Sequence, residues 1–310
     1  MSPKPVILDV DPGHDDAVAI MLACGHPDLD LLAVTTVAGN VTIEKTTRNA
    51  LRVLSLVGRN DVPVGMGASG PLRRPLHTAE DIHGESGLDG SEEIPEASFG
   101  PDERDAVALI SDTIKASPEP VTLVPVGPLT NIALFLREHQ DLKDRIDRVS
   151  LMGGSMGLGN TTPAAEFNIY VDPEAAREVF ESGLPITMSG LDATHQAGAG
   201  PEERDRLRAT GRVGSIVADF LDFFAATYER TFGFDFPPLH DPVAVAAVLE
   251  PDLLRTRPMR VDIECESDLT RGETVCDFYG VKGEKPNAEV GVDLDRENFF
   301  ELLYGALGRL

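Results

Sequence analysis

The sequence predicts an α/β fold: a mostly parallel central sheet flanked by helices, with a small additional β region near the C-terminus. Short apolar runs rich in β-branched residues alternate with helical patterns along most of the 310 residues, an order typical of a parallel sheet covered on both faces. Hydrophobic residues make up 42% of the chain, which is enough for a sizeable core. Because no internal repeat or low-complexity linker interrupts this pattern, we expect a single domain over residues 1–310.

Each predicted strand is a short apolar run, and the segments between strands have helical periodicity. The strand pattern occurs at residues 6–9, 31–36, 121–126, 148–152 and 186–189. The helix pattern occurs at residues 16–23, 43–57, 103–115, 129–136 and 173–181. Parallel strands end along one edge of their sheet, so we expect loops from distant parts of the sequence to meet there.

The pattern changes in the last third of the chain. Helices are predicted at residues 213–232, 242–249 and 296–307, the first of them rich in Phe, and residues 260–293 predict hairpins or an added small sheet. Residues 65–101 carry little regular pattern. A stretch of this length inside a domain is typical of a lid or binding loop, and a decorated surface loop is the alternative.

Composition excludes several classes of partner. The net charge of -25 disfavours binding to a nucleic-acid backbone or to an anionic membrane. No apolar run approaches the roughly 18 to 20 residues of a membrane span, and no secretory signal is evident. Cys24, Cys265 and Cys276 lack metal-type spacing and indicate free thiols in a reducing compartment. We therefore expect a cytoplasmic protein.

The strongest local feature is the segment of residues 8–19, with the sequence LDVDPGHDDAVA, which places Asp9, Asp11, Asp15 and Asp16 within eight positions. The flanking patterns place these acids in a strand-to-helix turn, where α/β proteins bind ligands. Four like charges repel one another unless a cation holds them, and a hard divalent cation with oxygen ligands is the simplest answer. The alternatives are ordinary: acids favoured at a helix N-terminus, or acids that cap a turn.

A second polar cluster follows the predicted strand that ends at Met152. Glu166 and Asn168 alternate about Phe167, so both side chains point to one side if the backbone is extended. A carboxylate and an amide together suit the hydroxyl groups of a sugar. Polar residues after a strand are common, so this cluster alone is a weak indication.

A third motif is His240-Asp241-Pro242, in which Asp241 as N-cap and Pro242 at the first helical position make an ordinary helix start. Asp172-Pro173 begins another predicted helix in the same way. Asp241 alone therefore indicates little more than a cap. His240 beside it favours a functional role, because histidine can donate a proton near neutral pH.

A fourth motif is the strand, turn and helix start of residues 121–131. Pro125 and Pro128 leave nearby carbonyls without their usual ladder partners, so the carbonyl of Val126 is available to a hard cation. Asn40, after the second predicted strand, offers a further amide at the same edge of the sheet.

Taken together, these stretches resemble the inosine–uridine-preferring nucleoside hydrolases. The matching segments keep the family's order along most of the chain: residues 9–17, 38–40, 81–84, 125–131, 160–172 and 240–242. The resemblance implies a nucleoside hydrolase fold with a Rossmann-like core. It also implies hydrolysis of the N-glycosidic bond of purine or pyrimidine ribonucleosides to ribose and free base, in nucleoside salvage. A homotetramer or homodimer and a tightly bound Ca2+ are implied as well.

The resemblance also assigns roles to individual residues. The protein ligands of Ca2+ would be Asp11, Asp16, Asp241 and the carbonyl of Val126. The ribose would be held by Asp15, Asn40, Glu166 and Asn168, with Asn160 and Met152 nearby. His83 and His240 would lie near the base, and Tyr228 is a candidate to stack on it. Asp11 would be the general base toward a Ca2+-bound water, and His240 the proton donor to the leaving base.

This chemistry is consistent with the residue types. Hydrolysis of a glycosidic bond passes through an oxocarbenium-like state, and a pocket dense in carboxylates favours positive charge on the sugar. Two alternatives remain at this point. Asp9-Val10-Asp11 superficially matches the motif of aspartate-nucleophile (HAD-like) phosphatases, although Pro12-Gly13 and the acids behind them fit a cation cage better. A nucleoside- or sugar-binding protein without turnover is the non-enzymatic alternative, and the pairing of Asp11 with His240 argues against it.

Overall fold

An eight-stranded sheet forms the centre of the structure. The structure is a computed structural model that describes residues 2–90 and 93–310, without the side chains of Asp81 and Phe232. In chain order the strands are β1 (Lys4–Val10), β2 (Leu29–Thr36), β3 (Val64–Met66), β4 (Val121–Pro125), β5 (Ile146–Met152), β6 (Ile186–Ser189), β7 (Leu254–Met259), β8 (Val261–Ile263), β9 (Thr274–Cys276) and β10 (Ala288–Leu294). Their order in the main sheet is β3-β2-β1-β4-β5-β6-β10-β7, and β8 pairs with β9 separately.

Helices cover both faces of this sheet. They are α1 (His14–Gly25), α2 (Ile43–Leu56), α3 (Glu80–His83), α4 (Ala106–Ala116), α5 (Thr130–Glu138), α6 (Phe167–Val171), α7 (Pro173–Phe180), α8 (Leu191–Thr194), α9 (Pro201–Ala209), α10 (Arg212–Phe232), α11 (Asp241–Leu249) and α12 (Arg296–Leu307). Helices α1, α2, α10, α11 and α12 contribute to one hydrophobic core, and α4, α5 and α7 to the other. None of the helices among the described residues is both long and apolar enough to span a membrane.

The alternation of side chains along β1 divides the two cores. Val6, Leu8 and Val10 pack in the core on the α1 side, whereas Ile7 packs in the core on the α5 side. Both faces of the strand are buried, which explains its nearly continuous apolar sequence. The prediction of a mostly parallel sheet flanked by helices is confirmed.

The winding of the chain reverses beside β1. This strand pairs in parallel with β2 on one side and with β4 on the other. Asp9 near its end is in register with Thr35 of β2 and Pro125 of β4. At such a reversal the connections leave toward opposite faces and open a crevice at the carboxyl ends of the strands. The acidic turn after β1 lies at this crevice.

The predicted small additional β region near the C-terminus is confirmed, because β8 and β9 form a separate antiparallel pair. Strand β10, from the same part of the chain, instead joins the main sheet in parallel with β6. Strand β7 pairs antiparallel with β10 and closes that edge. Pro258 lies on β7, and an edge strand tolerates the missing N–H donor of a proline. The strand β3 and the short helix α3 lie within or beside the stretch at residues 65–101, which the sequence pattern left without regular structure.

Candidate active site

The turn between β1 and α1 is organised by Asp16. The backbone N–H groups of Asp11 and Gly13 donate to its carboxylate at 2.9 and 3.0 Å. Asp16 therefore satisfies N–H groups at the start of α1, as a capping residue does, and this part of the ordinary structural interpretation is correct. Capping accounts for Asp16 alone and leaves the other acids of the turn unexplained.

Carboxylates from two distant segments converge beside this turn. One oxygen each of Asp15, Asp16 and Asp241 lies within 4.8 Å of the others, and all three side chains are buried. Burial, followed by repulsion from Asp16, raises the pKa of Asp15 to about 7. Burial also raises the pKa of Asp16, and burial with repulsion from neighbouring acids raises that of Asp241. A bound cation would offset both the cost of burying these carboxylates and the repulsion between them.

Asp11 lies against this cluster and is fully buried. The N–H of Asn40 donates to Asp11 Oδ2 at 2.7 Å, whereas Asp11 Oδ1 has no hydrogen-bond partner among the described residues. Burial and the charge of Asp16 raise its pKa well above the ordinary value. An orphaned carboxylate oxygen on a buried acid is a donor that fits a hard cation, although the three carboxylates that lie within 4.8 Å of one another are those of Asp15, Asp16 and Asp241.

Two glycines let the backbone approach Asp11 from neighbouring strands. A Cβ added at Gly39 or at Gly127 would overlap a carboxylate oxygen of Asp11. Gly39 follows β2 and Gly127 follows β4, so the two loops enclose the carboxylate at the point where the sheet reverses. The side chain of Asn40 completes this enclosure, because its Nδ2 donates to Asp11 O at 3.1 Å and to Asp16 Oδ2 at 3.2 Å.

Asp9 lies behind the cluster and is held by neutral donors. Thr35 Oγ1 donates to Asp9 Oδ1 at 2.6 Å, and Asn131 Nδ2 donates to the same oxygen at 2.7 Å. Burial raises the pKa of Asp9 to about 7. Asn131 also donates to the carbonyl of Thr36, and so ties α5 to β1 and β2. No local pattern predicts this role of Asn131, because the contact joins residues that are 122 positions apart.

Asp241 is not the helix N-cap that the Asp-Pro pattern by itself would indicate. Helix α11 begins at Asp241 itself, His240 occupies the cap position, and no side-chain cap hydrogen bond is made there. Asp172 provides the contrast, since it caps α7 by accepting from the N–H of Ala175. Two Asp-Pro sequences therefore start helices in different ways. The carboxylate of Asp241 faces the other acids instead of its own helix.

His240 is buried between two hydroxyl groups. Its Nδ1 lies 2.7 Å from Thr194 Oγ1, and its Nε2 lies 3.1 Å from the hydroxyl of Tyr228. Burial lowers the pKa of His240 to about 3, so the ring is neutral near pH 7. Burial likewise raises the pKa of Tyr228 well above 10. Thr194, which the sequence did not indicate, fixes the ring of His240 from the side opposite Tyr228.

Glu166 has an extended backbone but Asn168 lies in the first turn of α6, so the two residues do not alternate along a strand, which corrects the expectation from the sequence. Glu166 caps α6 by accepting from the N–H groups of Asn168 and Ile169, and it also accepts from Gly154 N at 2.9 Å. Burial raises the pKa of Glu166 to about 7. A helical cap places the side chains of Glu166 and Asn168 on the pocket wall as effectively as a strand would have done.

The carbonyl oxygen of Val126 was predicted to lack a hydrogen-bond partner, but it accepts a hydrogen bond in the structure. Asn168 Nδ2 donates to it at 2.7 Å and to the carbonyl of Met152 at 3.2 Å. A carbonyl oxygen has two lone pairs, so one remains for another partner. Asn160 has a structural role as well, because its Oδ1 accepts from the N–H of Phe167 at 2.9 Å.

These side chains surround a pocket that is open to solvent. Most predicted residues line it: Asp15, Asn40, His83, Val126, Met152, Asn160, Glu166, Asn168, Tyr228, His240 and Asp241. Asp11 and Asp16 are buried against this wall without lining it. The sequence did not single out Ala79, Ile82, Thr161, Phe167 and Phe224, which also contribute. The pocket therefore has an acidic side and a side with aromatic and imidazole rings.

His83 reaches this pocket from helix α3, within the stretch predicted to be a lid or a surface loop. Its ring stacks on that of His14, with centroids 5.4 Å apart. Burial lowers the pKa of His14 to about 4 and that of His83 well below 6.5. His14 belongs to the acidic segment, but no role for it was predicted.

The known proteins to which this chain is similar are nucleoside hydrolases. The family model described as inosine-uridine preferring nucleoside hydrolase matches residues 6–301. Pyrimidine-specific ribonucleoside hydrolase RihA of Citrobacter koseri is 54% identical over 301 residues, which cover 96% of each chain. RihA of Escherichia coli O7:K1 is 52% identical over 301 residues, which again cover 96% of each chain.

Solved structures agree with these sequences. A purine-preferring ribonucleoside hydrolase from Gardnerella vaginalis superposes with a TM-score of 0.91 at 35% identity, covering 98% of both chains. A plant nucleoside hydrolase superposes with a TM-score of 0.90 at 32% identity, covering 98% of this chain and 99% of the other.

Proposed function

The chain belongs to the inosine-uridine preferring nucleoside hydrolase family and is an N-glycosyl hydrolase of ribonucleosides, and from this premise we propose that it cleaves pyrimidine ribonucleosides to ribose and the free base. The observation that carries the proposal is the convergence of Asp15, Asp16 and Asp241 beside a pocket lined by polar and ring side chains. The preference for pyrimidines is supported by the RihA relatives at 52–54% identity, compared with 35% for the purine-preferring relative. Family membership also disfavours the aspartate-nucleophile phosphatase.

We propose Ca2+ as the cation, held by Asp11, Asp16, Asp241 and the carbonyl of Val126. The oxygen-only donor set suits a hard cation, and Asp11 Oδ1 is available for it. When bound, Ca2+ would neutralise the carboxylates, orient vicinal hydroxyl groups and lower the pKa of a coordinated water. Asp15 lies close to the carboxylates of Asp16 and Asp241 and also lines the pocket, and we assign it to the sugar because its position matches the family's motif.

The ribose would lie on the acidic side of the pocket. Asp15 and Glu166 accept hydrogen bonds from hydroxyl groups, and Asn40 and Asn168 can donate to them or accept from them. Asn160 and Met152 border this group on the pocket wall. In the transition state the sugar carries positive charge, which buried carboxylates stabilise more strongly than water does. The acidic side therefore favours departure of the base.

Asp11 and His240 would handle the protons. Asp11 takes a proton from the attacking water as the bond from the water oxygen to C1′ forms and the bond from C1′ to the base nitrogen breaks. The base leaves with the bonding electron pair and accepts a proton from the side of His240. Because His240 is neutral and lies between Thr194 and Tyr228, it passes a proton along hydroxyl groups and is not a standing cation. Tyr228 is then a relay as well as a ring beside the base.

We further propose that the chain acts as a single domain in the cytoplasm, as a homodimer or homotetramer. The described cysteines Cys24, Cys265 and Cys276 are all free thiols, which supports a reducing compartment. Size-exclusion chromatography with light scattering distinguishes the oligomeric states. Neither proposal affects the chemistry of the pocket.

The test of the proposed function is a panel of nucleosides assayed for release of free base with Ca2+ supplied. Uridine and cytidine should be hydrolysed with a higher kcat/KM than inosine or adenosine, and 2′-deoxyuridine should be a poor substrate because it lacks a hydroxyl group. A higher kcat/KM for the purines would overturn the pyrimidine preference. Equal rates on uridine and 2′-deoxyuridine would overturn the assignment of Ca2+ to the sugar hydroxyls. Binding of uridine without base release would support the non-enzymatic alternative.

A further inference from the structure

Two buried histidines form a hydrogen-bonded chain beneath the ring side of the pocket. His14 Nε2 lies 2.6 Å from the backbone carbonyl of Asp89, and His14 Nδ1 lies 3.2 Å from His83 Nδ1. His83 lines the pocket, whereas His14 lies behind it. The three residues therefore connect a loop carbonyl to the pocket through two imidazole rings.

The carbonyl at one end fixes the direction of this chain. A carbonyl oxygen only accepts, so His14 Nε2 must carry a proton. The ring of His14 lies 5.0 to 5.4 Å from those of Phe220, Phe223 and Phe224, surroundings that disfavour a second proton and a positive charge. His14 Nδ1 is then a lone-pair acceptor. The proton between the two Nδ1 atoms must belong to His83.

The opposite tautomer of His83 is less favourable. The backbone N–H of His14 also points at His83 Nδ1, at the longer distance of 3.4 Å. If Nδ1 accepted from that group, two lone pairs would face each other across 3.2 Å. The contact between the two Nδ1 atoms is the shorter one, and it pairs a donor with an acceptor only if His83 Nδ1 carries the proton. We therefore assign the proton to His83 Nδ1.

The other nitrogen of His83 is available to a ligand. The Nδ1 and Cε1 edge of the ring faces Gly13, where an added Cβ would lie 2.5 Å from Nδ1. Among the described residues, Nε2 has no hydrogen-bond partner, and His83 retains 6% exposure on the pocket wall. An unprotonated Nε2 presents an acceptor to whatever occupies this side of the pocket.

We propose that His14 is a positioning residue that holds His83 as the Nδ1–H tautomer, so that Nε2 accepts a hydrogen bond from an N–H group of the nucleobase, such as N3–H of uracil. This inference rests on the proposed function, since it takes the ring side of the pocket as the base site. Accepting from the base helps binding but not departure of the base, so the contact acts on KM. It selects bases that carry an N–H on the edge away from the sugar.

The test combines a spectroscopic and a kinetic measurement on the full-length protein with Ca2+ supplied. Long-range 1H–15N correlation spectra of 15N-histidine-labelled protein report which nitrogen of His83 is protonated, and a His83→Gln variant assigns its signals. Kinetics compare uridine with 4-nitrophenyl β-D-ribofuranoside, whose leaving group has no N–H. The variants are His14→Phe, which keeps a ring among the phenylalanines, and His14→Asn, which keeps an acceptor near Nδ1.

We expect wild-type His83 as the Nδ1–H tautomer and a shift toward Nε2–H in His14→Phe. In that variant KM for uridine should rise about tenfold, with kcat and the nitrophenyl riboside little changed, and His14→Asn should restore most of the loss. An Nε2–H tautomer in the wild type, or equal losses on both substrates, would overturn the inference. Failure of the proposed function is distinct: the wild type would then release no base, while the spectra would still decide the tautomer.

Discussion

The hydroxyl of Tyr228, on α10, lies 3.1 Å from Nε2 of His240, the residue that precedes α11. On its other side His240 Nδ1 lies 2.7 Å from Thr194 Oγ1. Both nitrogens of the ring are thus engaged by hydroxyl groups, and in the proposed mechanism a proton given to the leaving base would be replaced along this chain. The proposed relay would depend on the hydroxyl oxygen of Tyr228, whereas its ring would pack beside the base.

Replacement of Tyr228 by Phe separates the contribution of the hydroxyl group from that of the ring. We expect kcat on inosine and uridine to fall by about tenfold or more, because the ring stays while the hydroxyl group is lost. His240→Ala should cost more, and more on inosine than on uridine. Steady-state kinetics on both nucleosides are the measurement. Wild-type kcat in Tyr228→Phe would show that the hydroxyl takes no part in proton transfer.

Asp11→Asn tests the general base. The amide keeps an acceptor for the N–H of Asn40 but cannot take a proton, so kcat should fall by about a thousandfold. The metal-free variant should fold at least as well as the wild type, because one buried charge is gone. Asp9→Asn is the matched control, since Asp9 is buried but is held by Thr35 and Asn131 away from the pocket. A kcat loss in the control as large as in Asp11→Asn would contradict the assignment.

The stability of the metal-free protein should depend on pH. Burial raises the pKa values of Asp15 and Glu166 from 3.8 and 4.5 to about 7, so the folded state binds their protons more tightly than the unfolded state does. Their contribution is complete below about pH 4 and is lost as the pH rises through about 7. With a chelator present, Tm should therefore fall between about pH 5 and pH 8.

Ca2+ should reverse this trend, because it binds the deprotonated carboxylates. The increase in Tm on adding Ca2+ should be larger at about pH 8 than at about pH 5. Asp241→Asn, which removes one carboxylate of the cluster, should show a smaller increase. Thermal unfolding with and without chelator measures both effects, and an increase independent of pH would show that the acids do not bind the ion.

Gly127→Ala tests the enclosure of Asp11 by the backbone. The added methyl group would overlap an oxygen of Asp11, so affinity for Ca2+ should fall by at least about tenfold and kcat/KM should fall with it. Gly100→Ala is the matched control, because no atom lies within 4 Å of a Cβ added there. Calorimetric titration of both variants compares them, and equal affinities would mean that the carboxylate is free to move.

The sequence predicted the part of the site that lies within one segment and at the ends of recognisable strands. Asp11, Asp15 and Asp16 were found because a crowd of acids between a strand and a helix is rare without a cation. The role of Asp241 was harder to predict, because an Asp just before a Pro at a helix start can serve either as a helix cap or as a cation ligand. Only the packing of α11 against α1 shows that its carboxylate faces the turn.

What the sequence did not predict are contacts between distant elements. Thr194 and Asn131 carry no local signal, because a single hydroxyl or amide becomes meaningful only once its partner is known. The entry of β10 into the main sheet depended on long-range pairing that a local pattern does not encode. Asn168 lies in the helix α6 and not in the extended segment that alternation implied, yet its side chain lines the same pocket as that of Glu166.

Calorimetric titration of Ca2+ into chelator-treated protein tests the central claim that acids from two distant segments form one cation site. The wild type should bind one Ca2+ per chain, and Asp241→Asn should bind it at least about tenfold more weakly although residue 241 lies far from the acidic turn in sequence. The absence of binding to the wild type, or an unchanged affinity in Asp241→Asn, would contradict the account.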